Sequence, residues 1–87
     1  MVTVKKFSAV WCGPCRALAP VMNEIKSNFL NVKFEEYDID EYSEITEKYG
    51  VRSVPTVIIE RDGVELQRFT GLSSKMAYTN AINEAVK

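Results

Sequence analysis

The sequence predicts an α/β fold with the element order βαβαββα and a mixed four-stranded sheet flanked by helices. Three observations carry this prediction. A β-branched run is followed by a long helical pattern and a second strand, and a strand–helix–strand unit returns as a right-handed parallel crossover. Further along, Asp62-Gly63 separates two apolar runs, which marks a tight hairpin and hence an antiparallel pair. Finally, 87 residues with 46% hydrophobic and 26% charged side chains suit one globular domain, residues 1–87, with no room for a second core.

The first strand, Val2-Thr3-Val4-Lys5-Lys6-Phe7-Ser8, is rich in β-branched residues, which pack well on a pleated surface. From about Pro14 to Asn28 the pattern is helical, with Leu18, Val21, Met22, Ile25 and Phe29 at spacings of three and four. Pro20 falls inside this helix, where it removes one ladder hydrogen bond and bends the axis. Val32 to Ile39 reads as the second strand, followed by a short helix near Ser43 to Tyr49. Gly50 suits the left-handed position just past that helix. The third strand runs from Pro55 to Glu60 and the fourth from roughly Val64 to Phe69, where Gly71 breaks it. Ser73 or Ser74 can cap a final helix, whose Ala77, Ala81, Ala85 and Tyr78, Ile82, Val86 form two rows at i, i+4 spacing.

Composition excludes several function classes. The net charge is −1 and the lysines and arginines are scattered, so neither nucleic acid nor an anionic membrane surface is an expected partner. No apolar run approaches the ~20 residues of a membrane-spanning helix. The start, MVTVKKFSAV, lacks the basic-then-apolar order of a signal peptide, and the expected compartment is the cytoplasm. Thiols are kept reduced there, and a cysteine pair is more often catalytic or metal-binding than structural. The chain has no histidine, which removes Cys–His nucleophilic catalysis and histidine-containing zinc sites.

Both cysteines lie in Trp11-Cys12-Gly13-Pro14-Cys15, where a strand ends and a helix begins. Free N–H groups of the first helical turn and the positive end of the helix dipole stabilise a negative sulfur at Cys12. Cys15 lies one turn further in, on the same face. Gly13 permits the tight entry, and Pro14 fixes φ where no N–H partner is needed. This arrangement suits a redox cycle in which an exposed Cys12 sulfur attacks a substrate disulfide and Cys15 then resolves the mixed disulfide. Two other readings compete. A tetrahedral zinc site needs four ligands, so a single CxxC would have to be completed by another chain. A purely structural disulfide across so short a loop stabilises little. No metal and no organic cofactor are expected.

Trp11 to Cys15, Pro20, Ile39-Asp40, Lys48-Tyr49-Gly50-Val51-Arg52, Val54-Pro55-Thr56, Asp62-Gly63 and Gly71 follow one another in an order that resembles the thioredoxin family along nearly the whole chain. The resemblance implies the minimal thioredoxin fold with strand order 2-1-3-4, without the strand and helix that ordinary thioredoxins carry ahead of this core. It also implies a cis Val54-Pro55 bond packed against the cysteines, and a Val54 backbone that pairs with an extended substrate segment. Trp11, Ile39, Val54, Pro55, Gly71 and Leu72 would form the substrate-binding collar around Cys12, although plain core packing competes as a reading of Ile39 and Leu72. The implied activity is reduction of protein disulfides by a monomer that a separate thioredoxin reductase re-reduces. Two rivals stay open: a glutaredoxin-like protein reduced by glutathione, and an interaction subunit whose redox chemistry is secondary.

Two charges depart from the family pattern. Where thioredoxins usually carry a buried aspartate, six residues before the first cysteine, this chain has Lys6. Where they carry a lysine on the neighbouring strand, it has Glu36. A buried charge is tolerable when paired and very costly alone. Lys6 and Glu36 are therefore expected to face each other beneath Cys15 as a swapped pair, with Glu36 supplying the carboxylate and Lys6 either lowering the thiol's pKa through its charge or itself accepting a proton. The competing reading has Lys6 reaching out to solvent. The remaining acidic residues, Glu35, Asp38, Asp40, Glu41 and Glu44, read as a solvated face or a helix cap. Arg16 reads as a surface residue.

Overall fold

The computed structural model describes residues 1–87. The elements are β1 (Val2–Ser8), α1 (Gly13–Asn28), β2 (Lys33–Asp38), α2 (Ser43–Lys48), β3 (Thr56–Arg61), β4 (Val64–Thr70) and α3 (Lys75–Val86). The sheet order is β2-β1-β3-β4. β1 and β2 are parallel, as the α1 crossover requires, and β3 runs antiparallel to both β1 and β4. The β3–β4 hairpin turns at Asp62 and Gly63, both with positive φ (53° and 83°), the backbone that matches a two-residue turn to the twist of its strands. Gly50 closes α2 at φ 64°.

Strand alternation decides which face each side chain serves. Val2 and Val4 of β1, with Val57 and Ile59 of β3, pack under α1 and α3 in the main core. α1 contributes Leu18, Met22 and Ile25, and Cys15 continues that buried stripe at the head of the helix. Pro20 lies on the outer side, and α1 runs through it without a break. α3 is capped by Ser74, whose hydroxyl accepts the Ala77 N–H at 3.1 Å, and buries Tyr78, Ala81, Ile82 and Ala85. Val86, expected in the apolar row, is exposed at the last residue of the helix. No helix is long and apolar enough to cross a membrane.

Lys5 and Phe7 project from the opposite face. The Lys5 ammonium lies 2.9 Å from Glu60 Oε1 and 3.2 Å from Glu35 Oε1. The Tyr37 hydroxyl donates to Glu35 at 2.7 Å, and Phe7 stacks on the Tyr37 ring. Glu35 thus leaves the solvated face expected of it, because parallel register sets it beside Lys5. The Tyr37 hydroxyl, then Lys33 and Lys5, outweigh burial and hold the Glu35 carboxyl down to about 2. The same hydrogen bond pushes Tyr37 up to about 12. Burial alone would lower Lys5, but hydrogen bonds to Glu60 and Glu35 more than offset it and raise it.

Candidate active site

A short turn carries the chain from the end of β1 to the head of α1. Ile39 N–H donates to Ser8 O at 2.9 Å, and Cys12 N–H donates to Ala9 O at 3.1 Å. These bonds fix Cys12 as the N-cap of α1, with extended backbone (φ −93°, ψ 112°). Its Sγ accepts the Cys15 backbone N–H at 3.2 Å. Sulfur here takes the place that a serine or aspartate oxygen fills at ordinary helix starts. Gly13 and Pro14 form the exposed first turn. Cys15 follows one turn in, with Cα atoms 5.3 Å apart and the two sulfurs joined as a disulfide.

Both cysteines are covered in this oxidised form, Cys12 at 5% and Cys15 at 6% exposure. An exposed Cys12 sulfur was expected from its position at the helix head. The cover comes from Ala9 together with Ile39 and Val54, which pack against the pair. Val54-Pro55 is a cis peptide, and Gly71 N–H donates to Pro55 O at 2.8 Å, so Gly71 joins the same cluster of loops. Thr56, buried, donates its hydroxyl to Ser53 O at 2.7 Å and holds the turn before the proline. The β3 ladder begins at Thr56, which leaves Val54 outside it.

Trp11 stands at the rim, 63% exposed. Its indole N–H donates to Asp40 Oδ2 at 3.1 Å, so Asp40 orients the ring rather than merely solvating a face. Sequence reasoning missed this partner, although an indole N–H without an acceptor and an acidic residue at the adjacent strand end together signal it. Leu72 is exposed and does not join the apolar cluster around the cysteines. Arg16 reaches back to Val10 O at 3.1 Å.

Lys6 lies on the face of β1 that α1 covers, in register with Glu36 of β2. Nζ and Oε2 are 3.5 Å apart, but the two side chains are unequally placed, 8% exposed for Lys6 and 68% for Glu36. The lysine does not reach out to solvent, and the carboxylate meets it at the sheet edge. Lys6, Glu36, Asp38, Arg16 and Cys15 share the walls of one open cavity of about 360 Å³. No group of three or more potential metal ligands converges in the structure.

The family model described as Thioredoxin matches residues 1–84. The chain belongs to the thioredoxin family. It is 42% identical to a thioredoxin of Chlamydia pneumoniae over 78 residues, 90% of this chain and 76% of the relative. It is 36% identical to a thioredoxin of Bacillus subtilis over 84 residues, 95% of this chain and 81% of the relative. A thioredoxin from Trypanosoma brucei brucei superposes with a TM-score of 0.91 at 36% identity, covering 99% of this chain and 75% of that one. A variant thioredoxin from Halobacterium salinarum superposes with a TM-score of 0.93 at 31% identity, with the same coverage of 99% and 75%. Thioredoxins are protein-disulfide oxidoreductases, acting on disulfide substrates and reduced by thioredoxin reductase. This chain is accordingly a thiol–disulfide oxidoreductase, with Cys12 and Cys15 as its redox pair.

Proposed function

We propose that the reduced protein donates two electrons to disulfides of partner proteins, with Cys12 as the attacking sulfur and Cys15 as the resolving one. The hydrogen bond from Cys15 N–H to Cys12 Sγ carries this assignment. The helix start offers its free donors and the positive end of its dipole to Cys12, and a thiolate gains more from both than a thiol does. The Cys12 thiolate attacks one substrate sulfur, forming a mixed disulfide and expelling the other substrate sulfur as a thiolate. Cys15 then attacks Cys12, closes the internal disulfide and releases the reduced substrate. Gly13 and Pro14 keep the first turn narrow enough for both sulfurs to react without unfolding it.

Trp11, Ile39, Val54, Pro55, Gly71 and Leu72 form the substrate-binding rim. The backbone of Val54, free of the β3 ladder, pairs with an extended segment flanking the target disulfide. Ile39 and Val54 also shield the sulfurs, and Leu72 engages substrate from its exposed position. Lys6 and Glu36 complete the machinery on the Cys15 side as an ion pair. The protein works as a cytoplasmic monomer of one domain, residues 1–87, re-reduced by a thioredoxin reductase and needing no metal or organic cofactor. Covalent trapping tests the roles of the sulfurs: Cys15→Ser should accumulate mixed disulfides with target proteins through Cys12. Equal trapping by Cys12→Ser would reverse the assignment.

A further inference from the structure

We infer that Lys6 is a positioning residue for the second half of the cycle: its buried ammonium, rather than the Glu36 carboxylate, holds Cys15 as the thiolate that resolves the mixed disulfide. This rests on the proposed division of labour between the sulfurs. The side chain of Lys6 is 8% exposed. Lys6 and Cys15 line the same open cavity, with Glu36 Oε2 3.5 Å from the ammonium. Four charged groups face that cavity. Arg16, from α1, is exposed and donates to Val10 O on the rim of the same cavity. Asp38, from β2, spends its Oδ1 on the backbone N–H groups of Asp40 and Glu41. Glu36, also from β2, is mostly in solvent, where its field is screened. Lys6, from β1, is the one buried side chain among the four, and a charge less exposed to water is screened less. Lys26 and Glu35 line a second cavity, which Lys6 and Glu36 also line.

The chemistry follows from the sign of that charge. During resolution the Cys15 electron pair forms the bond to Cys12 Sγ, and the bond between Cys12 and the substrate sulfur breaks. The substrate leaves as a thiolate and takes a proton from water. The proton that Cys15 gave up earlier has left through the cavity, which is open to solvent. A carboxylate beside Cys15 would favour the protonated thiol and would have to act as a base. An ammonium favours the anion directly, so no proton acceptor is required at the moment of attack. Lysine in this place thus makes resolution an electrostatic step instead of a general-base step.

The test titrates Cys15 alone, in a Cys12→Ser background, by thiolate ultraviolet absorbance against pH. Lys6→Met, close to lysine in volume and free of charge, should raise the Cys15 midpoint by about one unit or more, the ordinary effect of losing a nearby opposite charge. Lys6→Arg should keep the midpoint low, a rescue that packing alone would not give. Glu36→Gln should leave it unchanged or lower it slightly. A midpoint that stays put in folded Lys6→Met, or that rises in Glu36→Gln as much as in Lys6→Met, would overturn the inference. The titration needs no turnover, so a protein unable to reduce substrates would refute the proposed function while this readout still judged Lys6.

Discussion

Replacing Lys5 with methionine should reveal how much the second face of the sheet depends on one ammonium. Lys5 sits 2.9 Å from Glu60 and 3.2 Å from Glu35, with Glu60 fully buried and Glu35 largely so. Removing the cation leaves the buried Glu60 carboxylate without its ammonium, while Glu35 keeps Lys33 and the Tyr37 hydroxyl. Breaking a buried pair from one side costs about 3–5 kcal/mol, against roughly 4–13 kcal/mol for the whole of an 87-residue domain. The pH dependence should also change sign. In the parent, Glu35 and Glu60 have folded-state pKa values held below their ordinary range. The Glu35 contribution is complete above about pH 4.5, the unfolded carboxylate value, and is lost as pH falls toward 2; that of Glu60 is likewise lost on acidification. In Lys5→Met, burial and repulsion from Glu35 raise the Glu60 carboxyl instead. The folded state then binds the extra proton, and stability falls as pH rises through that carboxyl's range. Urea unfolding at several pH values between about 3 and 7 reads both effects. A loss under about 1 kcal/mol at neutral pH, or a pH slope matching the parent's, would refute the reasoning.

Other outcomes follow from single contacts. Asp40→Ala frees the indole of Trp11; disulfide reduction should slow about fivefold for roughly 1 kcal/mol of lost positioning, with unchanged urea stability and a shifted Trp11 emission. Ile82→Ala opens a cavity in the main core beneath α3 and should cost about 2–5 kcal/mol by urea unfolding. Ser74→Ala removes the α3 cap and should cost about 1 kcal/mol, while Ser73→Ala, whose hydroxyl makes no capping bond to the helix, should cost less.

The strands and helices were legible because their periodicities are clean and their ends carry turn chemistry, as at Asp62-Gly63 and Gly50. Boundaries moved by one or two residues, as where Pro55 has no N–H to give the ladder and β3 starts at Thr56. The cysteine pair was legible from local sequence alone, since the helix that activates Cys12 begins at the motif itself. What escaped was long-range. The network of Lys5, Glu35 and Glu60 exists only once β1, β2 and β3 are in register, and Lys5 and Glu60 are 55 residues apart. The cover over Cys12 comes from Ile39 and Val54, on loops distant in sequence. The swapped charges at Lys6 and Glu36 were visible by resemblance. Their unequal burial was not, because it depends on α1 lying over β1 while Glu36 stays at the sheet edge.

Reduction of insulin disulfides with dithiothreitol as the electron source tests most directly whether the sulfur at the start of α1 opens disulfides. The parent protein should bring on insulin precipitation well before dithiothreitol alone does, and Cys12→Ser should abolish that acceleration. Parent protein no faster than dithiothreitol by itself at neutral pH, or Cys12→Ser as active as the parent, would contradict the assignment of Cys12 as the attacking thiolate.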